Sequence, residues 1–277
     1  MSPIRLILVH IDGSPASTVR LLTARALAAQ HDAQVHAHLA LAPLLPASPI
    51  AFPPAADYTC ELIAYDRERR AAARAEFDAH AGQDGMVQWV ESRGEPIRAI
   101  SQAALGADLL VLGQRDPGDE GRLPADFVES VLIDSGKPAL VLPWIASQTA
   151  AFRVALVAWK NSREAARALG AALPLLARAE QVHVATWPEQ DTADTAGPDP
   201  LAYLQRHGIR AQRQAQPPLS GKAARGVGEL LLSRASELGA DLLVMGCYGH
   251  GRARERVLGG ASRTLLSSMT LPVLMAH

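Results

Sequence analysis

The chain has 277 residues, 48% of them hydrophobic and 4% aromatic, with 27 Lys+Arg against 28 Asp+Glu and a net charge of -1. That length suits two ordinary domains with Leu/Val/Ala-built cores. The charge balance excludes bulk electrostatic binding of nucleic acid or acidic membranes, and no apolar run reaches the roughly 18–20 residues that span a bilayer.

The first apolar run, Leu6-Ile7-Leu8-Val9, is too short for a secretory signal and is interrupted by Asp12. It reads as a first strand, 5–11. With no export signal, Cys60 and Cys247 are expected to be reduced thiols in a cytoplasmic protein. Helix 16–30, strand 34–40 and a Pro/Ala-rich loop 43–56 follow. The charged run from Asp66 to His80 is rich in Ala, Arg and Glu and reads as a helix with a solvated face. Next come strand 86–91, helix 96–105 and strands 108–112 and 139–143, then an Ala/Ser/Gln/Thr join near 145–152. The rest reads as strand 153–159, helix 162–178, strand 181–186, loop 187–199, a short helix 199–207, strand 209–215, helix 223–238, strand 241–245, helix 260–268 and strand 272–276. Strands alternating with helices imply a parallel sheet covered on both faces. Ligands in such sheets sit beyond the C-terminal strand ends, where the strand order switches. Lys160 and Gly246 both lie at such ends.

The chain also repeats itself. Leu105-Gly106-Ala107-Asp108-Leu109-Leu110-Val111-Leu112-Gly113 returns as Leu238-Gly239-Ala240-Asp241-Leu242-Leu243-Val244-Met245-Gly246. Arg5-Leu6-Ile7-Leu8-Val9 returns as Arg153-Val154-Ala155-Leu156-Val157, and Ser14 and Ser162 follow at matching places. A unit of about 135 residues is too long for a solenoid repeat and right for a whole domain. Two tandem domains are expected, 1–146 and 151–277.

The densest chemistry lies near the end. Gly246, Gly249 and Gly251 leave the backbone uncovered after strand 241–245, and Gly259, Gly260, Ala261 and Ser262 open the next helix. Bare amides beside a helix N-terminus form an anion site. The expected ligand is a phosphate, carried by a nucleotide. Arg252, Arg254, Arg256 and Arg263 either contact phosphate or form a solvated face. The competing reading of the glycines is that they permit tight turns and close helix–sheet packing.

These residues resemble the universal stress protein family in its tandem two-domain form. Its nucleotide-binding members carry Gly, two residues, Gly, nine residues, Gly, then Ser or Thr; Gly246, Gly249 and Gly259 keep that spacing. The resemblance implies an α/β fold of two tandem Rossmann-like (HUP/adenine-nucleotide-hydrolase-like) domains, each a five-stranded parallel sheet flanked by helices. It also implies domains paired through their last strands, 139–143 with 272–276, as a pseudo-dimer within one chain that is itself open to homodimerisation. It implies ATP or AMP as ligand in the C-terminal domain, with no metal beyond nucleotide-associated Mg2+. Three departures stand out. Position 260 is Gly where many ATP binders have Ser or Thr, which leaves Ser262 to supply a hydroxyl. The acid that faces adenine and ribose survives as Asp12 but is Lys160 in the second half, a group that attracts phosphate or points to solvent. The first half has lost the cradle: Gln114, Arg115 and Asp116 follow Gly113, and Ala125, Asp126 and Phe127 stand at the helix start.

Asp12 reads as a strand-end cap or a ligand contact, and Ser14 and Ser162 as helix caps. Trp144, Trp159 and Trp187 read as packing or domain-contact residues. Cys247 and His250 do not make a four-ligand metal site. A Gly-x-Ser-x-Gly elbow and a P-loop are both missing, and Gly221-Lys222 lacks the flanking residues one needs. No carboxylate apart from Glu255 is expected inside the cradle to hold magnesium, so ATP hydrolysis is at most weak. Two functions follow from different classes: a nucleotide-binding sensor or carrier, and a scaffold that acts through a protein partner.

Overall fold

The computed structural model describes residues 3–44, 56–116, 118, 123–145, 151–186, 197–215, 226–247 and 260–277. The first half runs β1 (Leu6–Ile11), α1 (Pro15–His31), β2 (Gln34–Leu39), α2 (Ala56–His80), β3 (Val87–Glu91), α3 (Pro96–Ala104), β4 (Leu109–Gly113), α4 (Phe127–Ser135) and β5 (Ala139–Leu142). The second half repeats it as β6 (Val154–Trp159), α5 (Arg163–Leu176), β7 (Gln181–Thr186), α6 (Pro200–Arg206), β8 (Gln212–Ala215), α7 (Val227–Glu237), β9 (Leu242–Gly246), α8 (Gly260–Ser268) and β10 (Val273–Ala276).

The strands form one ten-stranded sheet in the order β3-β2-β1-β4-β5-β10-β9-β6-β7-β8. Each half is five parallel strands, and the halves join through antiparallel β5 and β10, with Val141 opposite Val273 and Leu140 opposite Leu274. The order reads the same from both edges once each strand is exchanged for its repeat, so the chain carries an internal pseudo-twofold. Joining the last strands covers two apolar sheet edges that would otherwise expose unpaired amides.

Period-two alternation sorts the side chains between two cores. Ile7, Val9 and Ile11 of β1 join Leu109 and Val111 of β4 on one face. Leu8, Leu110 and Leu112 face the other. Because both faces are buried, the strands are continuous apolar runs, which is why the sequence marks them clearly. The repeated acid in the Gly-Ala-Asp motif has a structural job. Asp108 accepts the amides of Arg5 and Leu6 at 2.8 and 3.0 Å. Asp241 does the same for Arg153 and Val154 at 2.9 and 3.0 Å. Each acid fixes the start of one strand against the start of its neighbour.

One expectation needs correction. The helix expected from Asp66 begins at Ala56, and it buries Ala73 and Phe77 as well as presenting a solvated face. The helix between β4 and β5, of which the family resemblance supplied only the start at 125–127, runs from Phe127 to Ser135. It is nine residues long, with Phe127, Val128, Val131 and Leu132 buried, and it ends on Gly136 at φ 62°. No helix among the described residues is long and apolar enough to cross a membrane.

Candidate functional site

In both halves the strand order switches between the first and fourth strands, so crevices open beyond β1/β4 and β6/β9. The register makes them equivalent: Val9 lies opposite Val111, as Val157 lies opposite Val244.

In the first crevice Asp12 follows β1. Its side chain is 8% exposed and pairs at 2.8 Å with Arg20, which is 3% exposed. Arg20 Nε donates to the His10 carbonyl at 3.0 Å, and Nη2 donates to Ser17 Oγ at 2.9 Å. The Ser14 and Ser17 hydroxyls both donate to Asp12 Oδ1 at 2.6 Å. Burial alone would raise the Asp12 carboxyl. The Arg20 guanidinium and the hydroxyl donors outweigh it and hold the carboxyl far below the usual carboxylate range. Ser14 sits at the N-cap position of α1 but makes no side-chain cap; its hydroxyl donates instead to the Asp12 carboxylate two residues away. Asp12 is satisfied within the protein.

Gly113 ends β4 in the same crevice. A Cβ placed there would collide with Arg20 Nη1 and lie 3.3 Å from Arg20 Cδ. The glycine is bare to admit the arginine, and the ion pair floors the crevice. Beside it His10 is fully buried, with Nε2 on the Ala40 carbonyl at 3.0 Å and its ring 4.6 Å from that of Phe127. Burial pushes its pKa down to about 4.

The matching residues in the second half are different. Asp12, Ser14, Ser17 and Arg20 become Lys160, Ser162, Ala165 and Ala168. The arginine that fills the first crevice has no counterpart, and Ala168 is buried against the sheet. Without that bulk α5 settles onto β9. A Cβ on Gly246 would collide with the Glu164 carbonyl carbon and the Ala165 amide. Gly246 is thus required by close helix–sheet packing, the competing reading raised for it above. Ser162 caps α5 as expected, accepting the Ala165 amide at 3.2 Å.

Glu164 is 4% exposed, and its backbone borders Gly246. Burial opposes its charge, but its own amide, Ser162 and Arg163 outweigh burial and keep its pKa below the ordinary value. Cys247 lies next along the strand, fully buried, and its thiol is pushed up to about 12 by burial and by the Glu164 charge. It is no nucleophile at neutral pH.

Among the expected ligand residues, Lys160 and Gly246 come together. Ala158 pairs with Met245, which puts Lys160 level with Cys247, one residue past Gly246 on the neighbouring strand. Gly260 and Ala261 open α8, and Ser262 is buried at 4% exposure. Gly249, Gly251 and Gly259 lie outside the described residues, as do His250, Arg252, Arg254, Glu255, Arg256, Trp187, Gly221 and Lys222. Asp126, at the head of α4, is exposed and accepts from Ser130 Oγ at 2.9 Å, so it carries no burial cost. No group of three His, Cys, Asp or Glu among the described residues is arranged to hold a metal ion.

The model of the universal stress protein family matches residues 3–143 and, a second time, 151–277. The chain belongs to the universal stress protein family. A universal stress protein from Archaeoglobus fulgidus is similar in structure at TM-score 0.67 and 18% identity, over 98% of this chain and 95% of that one. A Pseudomonas aeruginosa chain described as a universal stress protein follows at TM-score 0.57 and 15% identity, over 98% and 92%. At these identities the likeness concerns the fold. No curated protein matches the chain in sequence.

Within this universal stress fold, two residues that shape the crevices escaped the sequence reading. Arg20 lies inside the helix read as 16–30 and Glu164 inside the one read as 162–178, with no role assigned to either. A signal for the first existed. Laying the two halves over one another shows the acid and the arginine lost together, Asp12 to Lys160 and Arg20 to Ala168. Paired loss is what a buried ion pair requires, because either partner alone would be an uncompensated charge.

Proposed function

We propose that this universal stress protein is a stress-response sensor or carrier that binds an adenine nucleotide, ATP or AMP, in the unit 151–277. The observation that carries the reading is the contrast between the crevices. Arg20 occupies the first, while Ala168 stands at its place in the second. In the first half the Asp12–Arg20 pair takes the floor of the crevice, and the arginine covers the bare Gly113 that a phosphate would need. In the second half Lys160 supplies a cation at the strand ends, and α8 offers its N-terminal dipole through Gly260, Ala261 and Ser262. Main-chain amides of Gly249 and Gly259 would complete the phosphate contacts. The base would lie over the ends of β6 and β7, and a protein partner would read the nucleotide-bound form.

Isothermal titration of ATP, ADP and AMP tests this. Binding at a hundred times the dissociation constant adds about 2.7 kcal/mol to folding stability, so a melting shift should accompany the heat. Gly249→Trp and Gly259→Trp should abolish both and leave the ligand-free melting point in place. Absence of heat and of any shift at millimolar nucleotide defeats the proposal.

Two observations favour a second reading, a scaffold acting through protein partners. The floor of the first crevice is taken by its own ion pair, and the Glu164 charge felt at Cys247 opposes phosphate there. Native mass spectrometry separates the two readings, because a copurified nucleotide speaks against a pure scaffold.

A further inference from the structure

A cavity of about 550 Å³ opens above the Asp12–Arg20 pair, between the two halves of the chain. Its size lies within the roughly 300–1,000 Å³ typical of small-molecule sites, and a domain junction is a common place for one. One wall is α4, with Phe127 and Glu129; the other is α8 of the second half, with Arg263 and Leu266. Trp144, 44% exposed, stands at the side.

The walls are held in place. Gln114 is buried at the end of β4. Its Nε2 donates to the Leu266 carbonyl in the last turn of α8 at 3.0 Å, and its Oε1 accepts the Trp144 amide at 3.2 Å. One side chain thus satisfies an orphan carbonyl of α8 from the other half of the molecule and fixes the tryptophan segment. The cavity is framed before any ligand arrives.

Its charges are balanced in sign. Glu129 and Arg263 interact electrostatically across the cavity from different halves, yet no salt bridge joins them. Burial pushes the Glu129 carboxyl up and the nearby Asp126 charge adds to this, against the pull of its own amide and of Arg263. Arg115 and Asp116 add one further charge of each sign to the lining. A polyanion would meet two carboxylates here. A simple anion would satisfy Arg263 and leave Glu129 worse off. A molecule carrying both charges answers both walls, and the apolar surface of Phe127, Leu266 and Trp144 remains for the rest of it.

We propose that this cavity binds a small zwitterion of the amino-acid type with an apolar or aromatic side chain. Its ammonium group meets Glu129, its carboxylate meets Arg263, and its side chain lies against Phe127, Leu266 and Trp144. The site uses none of Lys160, Gly249, Gly259, Gly260, Ala261 and Ser262, the residues the proposed nucleotide site rests on.

The test is calorimetric titration of the full chain, freed of nucleotide, with L-phenylalanine, phenylacetate and 2-phenylethylamine. Phenylalanine should bind, and each single-charge analogue should bind roughly tenfold more weakly or less, the loss of one charge-assisted contact. Arg263→Gln and Glu129→Gln should each weaken phenylalanine by a similar factor. Arg263 is exposed, so its replacement leaves folding intact, which a melting curve verifies. Three results overturn the proposal: no heat at millimolar phenylalanine, phenylacetate binding as tightly as phenylalanine, or binding that survives both substitutions.

Discussion

Replacing Arg20 by methionine keeps most of the side-chain volume and removes the charge that answers Asp12. The pair is 2.8 Å apart with its members 3% and 8% exposed, so solvent screens it little. At an effective dielectric near 20, a 2.8 Å contact is worth about 6 kcal/mol before desolvation is subtracted. Removing one member of a buried pair costs roughly 3–5 kcal/mol, because the other stays uncompensated. Arg20→Met should therefore destabilise the chain by about 3–5 kcal/mol at pH 7. Asp12→Asn should cost a similar amount, as it strands the arginine. The double variant should cost less than the sum of the two by about 2 kcal/mol or more. Urea unfolding followed by circular dichroism measures all four corners of the cycle. The pH dependence gives a second check. With Arg20 present, the Asp12 carboxyl is depressed, and its contribution holds above the unfolded value of about 3.9 and fades only as pH falls towards the folded one. With Arg20 gone, burial is left to raise the carboxyl, so the folded form takes up a proton more readily than the unfolded one. The Arg20→Met penalty should then shrink as pH drops from 7 towards 5. Additive single costs, or a penalty that grows on acidification, would refute the claim that this pair floors the crevice as a buried charge couple.

Gly246→Ala forces a methyl group into the backbone of Glu164 and Ala165, and overpacking of this kind costs roughly 1–3 kcal/mol. Gly106→Ala, where a Cβ meets nothing within 4 Å, should stay within about 0.5 kcal/mol of the parent. Paired thermal melts decide it, and equal melting points would remove the packing argument for Gly246. His10 is held neutral by burial, at about 4 against an ordinary 6.5, so between those values the unfolded chain binds the extra proton and stability rises with pH. Acidification from pH 7 to 5 should cost about 2 kcal/mol through this residue, and His10→Gln should flatten the stability profile over that window. An unchanged profile would show that His10 titrates at its ordinary value.

Strands were legible because a parallel sheet buried on both faces turns each one into an unbroken apolar run, as in Leu109 to Leu112. The tandem architecture was legible because Gly-Ala-Asp and the run after it occur twice, and Asp108 and Asp241 each clamp two strand-start amides. The antiparallel join of β5 to β10 came from family resemblance, since nothing local in either strand names its partner. Helix α4 was harder to see: it is nine residues long and has a polar stretch in front of it. At the crevices, sequence located Asp12, Lys160 and Gly246 at strand ends but left their roles open. Tertiary structure decided the role of Asp12 and gave Gly246 a packing one. Whether Gly246 serves a ligand or a neighbouring helix depends on how closely α5 approaches β9, and that depends on Ala168 standing where Arg20 stands in the other half. Periodic burial is a local property, written into each run of residues by the water it must avoid. The partner of a buried charge and the atom facing a bare glycine are set by which elements the topology brings together.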